Sequence, residues 1–157
     1  MRNKLKVSFL IFISIFIIDQ IVKYCFANFD WNVDGPIISL HLVFNKGVAF
    51  SMFAFLDEYL KYVQLLIVVV ALGYLYKNPE VFKQYNIAIA LLLAGGLSNI
   101  LDRFTYGGVV DYFYWHYGFE FAIFNFADVI IDLGVVLILY KQYQIYKEEK
   151  KQKELKS

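Results

Sequence analysis

Apolar residues gather in four long runs. The first goes from Val7 to Phe26, unbroken as far as Ile18 and then carrying Asp19, Gln20 and Lys23. The second covers Tyr59–Tyr76, with Lys61 and Gln64 near its start. The third begins at Tyr85 and closes in Gly95, Gly96, Ser98 and Asn99 before Asp102 and Arg103. The fourth covers Phe119–Tyr143 and carries Glu120, Asn125, Asp128 and Asp132. Each approaches the ~20 residues that a helix needs to cross a bilayer. Only helices or closed barrels satisfy their own backbone in hydrocarbon, and the strict alternation of a barrel is absent. The pattern therefore predicts an all-α membrane protein, one domain over 1–157, with spans at about 7–26, 59–76, 85–103 and 119–143.

Two segments are not spans. In 28–58, Gly35-Pro36 marks a turn, Ile37–Phe44 reads as a short strand, and Asn45-Lys46-Gly47 closes it, giving a small outer β element between helices one and two. The segment 105–118 reads as an outer loop whose Tyr112, Phe113, Tyr114, Trp115 and Tyr117 suit the headgroup layer. Residues 144–157 form a basic, solvated tail.

Composition agrees with this pattern. The 157 residues are 60% hydrophobic, 20% aromatic and only 18% charged, with mean hydropathy +0.53, beyond what a soluble core of this size hides. A single cysteine, Cys25, excludes an internal disulfide, and a net charge of +1 gives no reason to expect a nucleic-acid partner. The placement of charge is more telling. Eleven lysines and arginines precede helix one, flank the Asn78-Pro79 turn or follow helix four, against four on the other side. Both termini are therefore expected in the cytoplasm. A basic start, an apolar run and Cys25 also resemble a signal peptide, but Lys23-Tyr24 precede the cysteine where small residues belong.

Alternating helix directions bring the end of helix one, the start of two, the end of three and the start of four to one side. Asp19, Gln20 and Lys23, Lys61 and Gln64, Ser98, Asn99, Asp102 and Arg103, and Asn125 and Asp128 all sit at those ends. Ionisable groups at depth cost ~2.5–3.5 kcal/mol each, so they are expected to face one another across a polar cleft. Entry of helix four near Phe121 would put Asp128 roughly 10 Å deep, with Asp132 a turn further on the same face. His41 and His116 lack metal-ligand spacing, so no metal or other cofactor is expected. A serine–lysine dyad drawn from Ser51 or Ser98 with Lys23, Lys46 or Lys61 has no supporting spacing. Asp102 is expected to pair with Arg103, and Asp19 with Lys23. Asp111 and Asp128 remain. Two aspartates facing one cleft cannot both ionise cheaply, which suits hydrolysis by activated water, while spacing alone favours a proton relay or helix–helix glue.

Five blocks in order resemble the lipoprotein signal peptidases, or signal peptidase II: Asp19-Gln20-x-x-Lys23; Asn45-x-Gly47-x-Ala49-Phe50-Ser51; Gly95-Gly96-x-x-Asn99-x-x-Asp102-Arg103; Val109-Val110-Asp111-Tyr112; and Phe124-Asn125-x-Ala127-Asp128. The resemblance implies a membrane aspartyl peptidase of the bacterial inner membrane. It would cut diacylglyceryl-modified prolipoproteins on the amino side of the lipidated cysteine, near the outer face. It also implies inhibition by globomycin-type depsipeptides; membrane lipid is an expected partner, and a monomer is expected. Asp111 and Asp128 would be the catalytic pair, with Asn99 and Asn125 orienting the pair or the substrate. Arg103 would pair with Asp102 or meet substrate carbonyls. Asn45 and Gly47 would cradle the substrate, and Asp19 and Lys23 would support the cleft. Tyr112 stands where phenylalanine is frequent. The competing readings are a small transporter or proton-relay protein using the same aspartates, and a membrane adaptor docked by the basic tail.

Overall fold

The computed structural model describes residues 2–29, 31–47 and 54–155. Ser51, Lys156 and the Ala49-Phe50-Ser51 part of the second block lie outside the described residues. The order is α1 (Arg2–Asn28), β1 (Ile38–Asn45), a 3-10 turn (Ala54–Tyr59), α2 (Leu60–Lys77), α3 (Pro79–Thr105), β2 (Val109–Trp115) and α4 (Phe126–Glu154).

Proline chemistry separates α2 from α3. Asn78 has φ −125° and ψ 68°, outside the helical region, because a residue before proline is pushed out of it. Pro79 then opens α3, where its missing N–H costs nothing. The helix thus starts before the apolar run at Tyr85, where a non-helical residue (φ −116°, ψ 20°) kinks it. The central helix is α3, which touches α1, α2 and α4. Its contact with α4 is close because the crossing uses small residues. A Cβ on Gly95 would lie 2.6 Å from the Ala127 carbonyl oxygen and 2.8 Å from Ile131.

Outward faces stay apolar. Leu66, Val70 and Leu139 are more than 60% exposed, which suits lipid rather than water. Among the described residues, three helices, α1, α2 and α3, are long and apolar enough to cross a membrane. The fourth carries Asp128 and Asp132 early and runs on into the charged C-terminal stretch. The tail expected over 144–157 is thus, as far as Glu154, the last turns of α4. At one end of the molecule Lys4 Nζ donates to the Lys83 carbonyl at 2.9 Å, and the Ser8 hydroxyl donates to the Asn86 carbonyl at 3.1 Å.

Two expectations are corrected at the other end. The segment 105–118 is not a plain loop. After the turn at Gly107, whose φ of +75° calls for glycine, the chain forms β2, antiparallel to β1 with Val43 opposite Asp111 and Asn45 opposite Val109. The strand at 37–44 therefore has a partner from far along the sequence. The register slips between Leu40 and Val43, a bulge that re-aims the end of β1. In addition, α4 starts at Phe126, not Phe119. Phe124 is held extended by exchanging backbone hydrogen bonds with Phe113, and Asn125 is an N-cap with extended φ/ψ. Periodicity alone does not separate a short apolar extended run from the start of a buried helix. The sheet seats on the end of α1 through a small core of Phe26, Val110 and Tyr112. The Phe26 and Tyr112 rings stack at 4.2 Å.

Candidate active site

Asn125 and Asp128 are the N-cap and third residues of α4, and they close a reciprocal capping box. Asn125 Oδ1 accepts from the Asp128 amide at 2.9 Å, and Asp128 Oδ2 accepts from the Asn125 amide at 3.1 Å. Asp128 therefore lies in the first turn of α4, at its N-terminal end rather than a further turn into the helix. The spare Asn125 Nδ2 donates to Asp111 Oδ1 at 2.7 Å and to Asn99 Oδ1 at 3.2 Å. Asn99 Nδ2 donates to Asp128 Oδ1 at 2.9 Å. One asparagine thus joins two carboxyls that arrive from β2 and α4.

From β1, Asn45 Nδ2 donates to Asp111 Oδ2 at 2.9 Å, while Asn45 Oδ1 accepts from the Gly47 amide at 2.9 Å in a local turn. Asp111 is 2% exposed. Burial pushes its carboxyl up from 3.8 to about 7, with the Asp128 charge adding to the rise and the Asn45 and Asn125 hydrogen bonds opposing it. A groove of about 340 Å³ opens beside it, lined by Val43, Phe44, Asn45, Lys46, Asp111, Ala122 and Ile123.

Behind the pair sits a buried charge cluster. Lys23, fully buried, pairs with Asp19 at 2.8 Å and with Asp102 at 2.7 Å, and donates to Asn99 Oδ1 at 2.6 Å. This fixes the Asn99 amide, with its oxygen toward the ammonium and its nitrogen toward Asp128. The expected Asp19–Lys23 pair is present, but the expected Asp102–Arg103 pair is not. Consecutive helical residues point about 100° apart. Asp102 turns to Lys23 and also accepts from Gln20 and from the Val110 amide. Arg103 reaches the other way and donates to the carbonyls of Asn45, Lys46 and Gly47, gripping the turn after β1.

Other expected members are elsewhere. Lys61 lies over the Tyr62 and Phe104 rings, outside the cluster, and Gln64 Oε1 is buried without a hydrogen-bond partner. The polar convergence therefore comes from α1, α3, α4 and the sheet, not from α2. Asp132 is exposed and does not continue the Asn125–Asp128 face into the site. Ser98 is fully buried, donating to Asp19 and accepting from Gln20, which leaves it no place as a nucleophile. Gln20 and Tyr112 are site members that sequence reasoning left without a chemical role, each signalled by standing beside a motif aspartate, Asp19 or Asp111, whereas Ser98, weighed only as a nucleophile, braces Asp19. His41 pairs with Asp34 at 3.0 Å, and His116 shares a hydrogen bond with Ser39 at 2.9 Å.

Comparison with known proteins gives a consistent picture. The profile of the family described as Signal peptidase (SPase) II matches residues 11–144. A lipoprotein signal peptidase of Wolinella succinogenes is 51% identical over 144 residues, 91% of this chain and 97% of that protein. One from Helicobacter acinonychis is 45% identical over 155 residues, 96% of this chain and 98% of that protein. A solved bacterial membrane enzyme superposes with TM-score 0.76 at 29% identity, covering 88% of each chain. The chain belongs to the signal peptidase II family of bacterial membrane proteins.

Proposed function

We propose that the protein is an aspartic endopeptidase that removes signal peptides from prolipoproteins by a water-mediated mechanism at Asp111 and Asp128. Membership of the family supports the coarse activity. The observation that carries the finer reading is Asn125, whose side chain holds Asp111 and whose backbone amide is held by Asp128. Asp111, its carboxyl raised to about 7, is the acid in this reading, and Asp128, which accepts from the Asn125 amide and from Asn99, is the base. Asp128 takes a proton from water as the water oxygen bonds to the scissile carbonyl carbon, and Asp111 gives its proton to the carbonyl oxygen. When the diol collapses, the C–N bond breaks. The leaving nitrogen takes the proton from Asp128, and a diol hydroxyl returns one to Asp111.

In this reading the bond cut lies on the amino side of the diacylglyceryl cysteine. The substrate is membrane-resident and enters laterally toward the groove beside Asp111. The eleven basic residues at the opposite end support cytoplasmic termini and a site toward the outer leaflet. The test is cleavage of a lipid-modified preprolipoprotein by the detergent-purified protein. Asp111→Asn and Asp128→Asn should each lower kcat by about 10²- to 10⁴-fold. Ordinary turnover by either variant would overturn the proposal.

A further inference from the structure

Asp111, Tyr112 and Phe113 are consecutive on β2, and each holds one of the three consecutive residues leading into α4. Asp111 accepts from the Asn125 side chain at 2.7 Å. The Tyr112 hydroxyl accepts from the Phe126 amide at 3.1 Å. Phe113 exchanges backbone bonds with Phe124, at 2.8 and 3.0 Å. The first amides of a helix have no partner inside it. The capping box satisfies those of Asn125 and Asp128 within α4 itself. The Phe126 amide instead finds its acceptor on another element.

Tyr112 is 1% exposed, and its ring stacks on Phe26 with an interplanar angle of 7°. It therefore reaches no substrate. Burial raises its hydroxyl above the ordinary phenol range, so it stays neutral. Asp111 lines the groove, whereas neither Tyr112 nor Phe126 does, so the Tyr112–Phe126 bond lies behind the site.

We propose that Tyr112 is a positioning residue: its hydroxyl pegs the first turn of α4 to β2 and so fixes Asp128 against Asp111. This rests on the reading of those aspartates as the catalytic pair. Tyr112→Phe keeps the ring and its stack and removes only the peg. In the detergent-purified full chain, kcat should fall about three- to tenfold, the worth of one hydrogen bond, with KM within about twofold. Amide exchange in the peptide covering 124–130 should quicken. Phe126→Pro removes the same bond from its donor side, at a helix position that tolerates proline. Adding Tyr112→Phe to it should cost little more. Unchanged kcat and exchange in Tyr112→Phe, a loss carried by KM, or full additivity with Phe126→Pro would each overturn the proposal. Asp111→Asn and Asp128→Asn run alongside separate the two ideas: turnover by either sinks the catalytic pair, whereas inactive aspartate variants beside a fully active Tyr112→Phe sink only the peg.

Discussion

Lys23 is the most consequential side chain that never meets the groove. Its ammonium is fully buried and bound at 2.8 Å to Asp19, 2.7 Å to Asp102 and 2.6 Å to Asn99. Lys23→Met keeps most of the aliphatic stem and deletes the charge, leaving two buried carboxylates facing one another. Breaking a buried pair from one side costs about 3–5 kcal/mol, because the orphaned charge is not resolvated. For a chain of this size that corresponds to a loss of roughly 6–20 °C in Tm. The assay is thermal unfolding of the detergent-purified protein, read by the fluorescence of its two tryptophans, with the double variant Lys23→Met/Asp102→Asn beside it. If the orphaned charge is the cause, the double variant melts above the single one even though it has lost more native groups. Activity should fall as well, because Asn99 loses the partner that aims its nitrogen at Asp128. A single variant within about 1 kcal/mol of the parent, the range of an exposed pair, would refute the reasoning. So would a double variant no more stable than the single.

Two further outcomes follow from packing and charge. Gly95→Ala should destabilise by about 1–3 kcal/mol and lower kcat, since its Cβ would push the Ala127 carbonyl and with it the first turn of α4. Gly96→Ala, with nothing within 4 Å, should be neutral or up to about 1 kcal/mol stabilising. Equal melting shifts for the pair would contradict the close crossing. Asp111 gives a pH signature. Activity should decline as pH rises through about 7, where the acid loses its proton. Native Asp111 holds that proton up to about 7, while the unfolded chain releases it near 3.8. The native state thus binds more protons across that window, and this group's contribution makes stability fall as pH rises through it. Asp111→Asn, uncharged throughout, should therefore melt higher than the parent above about pH 7 and lose that slope. Melting curves that run parallel at all pH values would count against a raised Asp111.

The sequence alone set the membrane class, because runs of apolar residues near ~20 long have few other solutions. It also set the family, because the five polar blocks stand in order. Residues at i, i+4 on one helix were legible too, as Asp19–Lys23 shows. Contacts between distant segments were not. Val43 opposite Asp111 on β2, Lys23 rather than Arg103 beside Asp102 and Arg103 on the 45–47 carbonyls depend on which way each helix face turns once packed. Neighbours in sequence diverge by about 100° on a helix, so adjacency misled at Asp102-Arg103. The start of α4 was hidden for another reason: apart from Glu120, Phe119–Phe124 is as apolar as a helix core. Its backbone pairing with β2, Phe124 to Phe113 and Phe121 to Trp115, and the N-cap role of Asn125 hold it extended. Local pattern thus decided which stretches are apolar enough for a bilayer, and the tertiary pairing of β2 with β1 and α4 brought Asp111 and Asp128 onto the same asparagine.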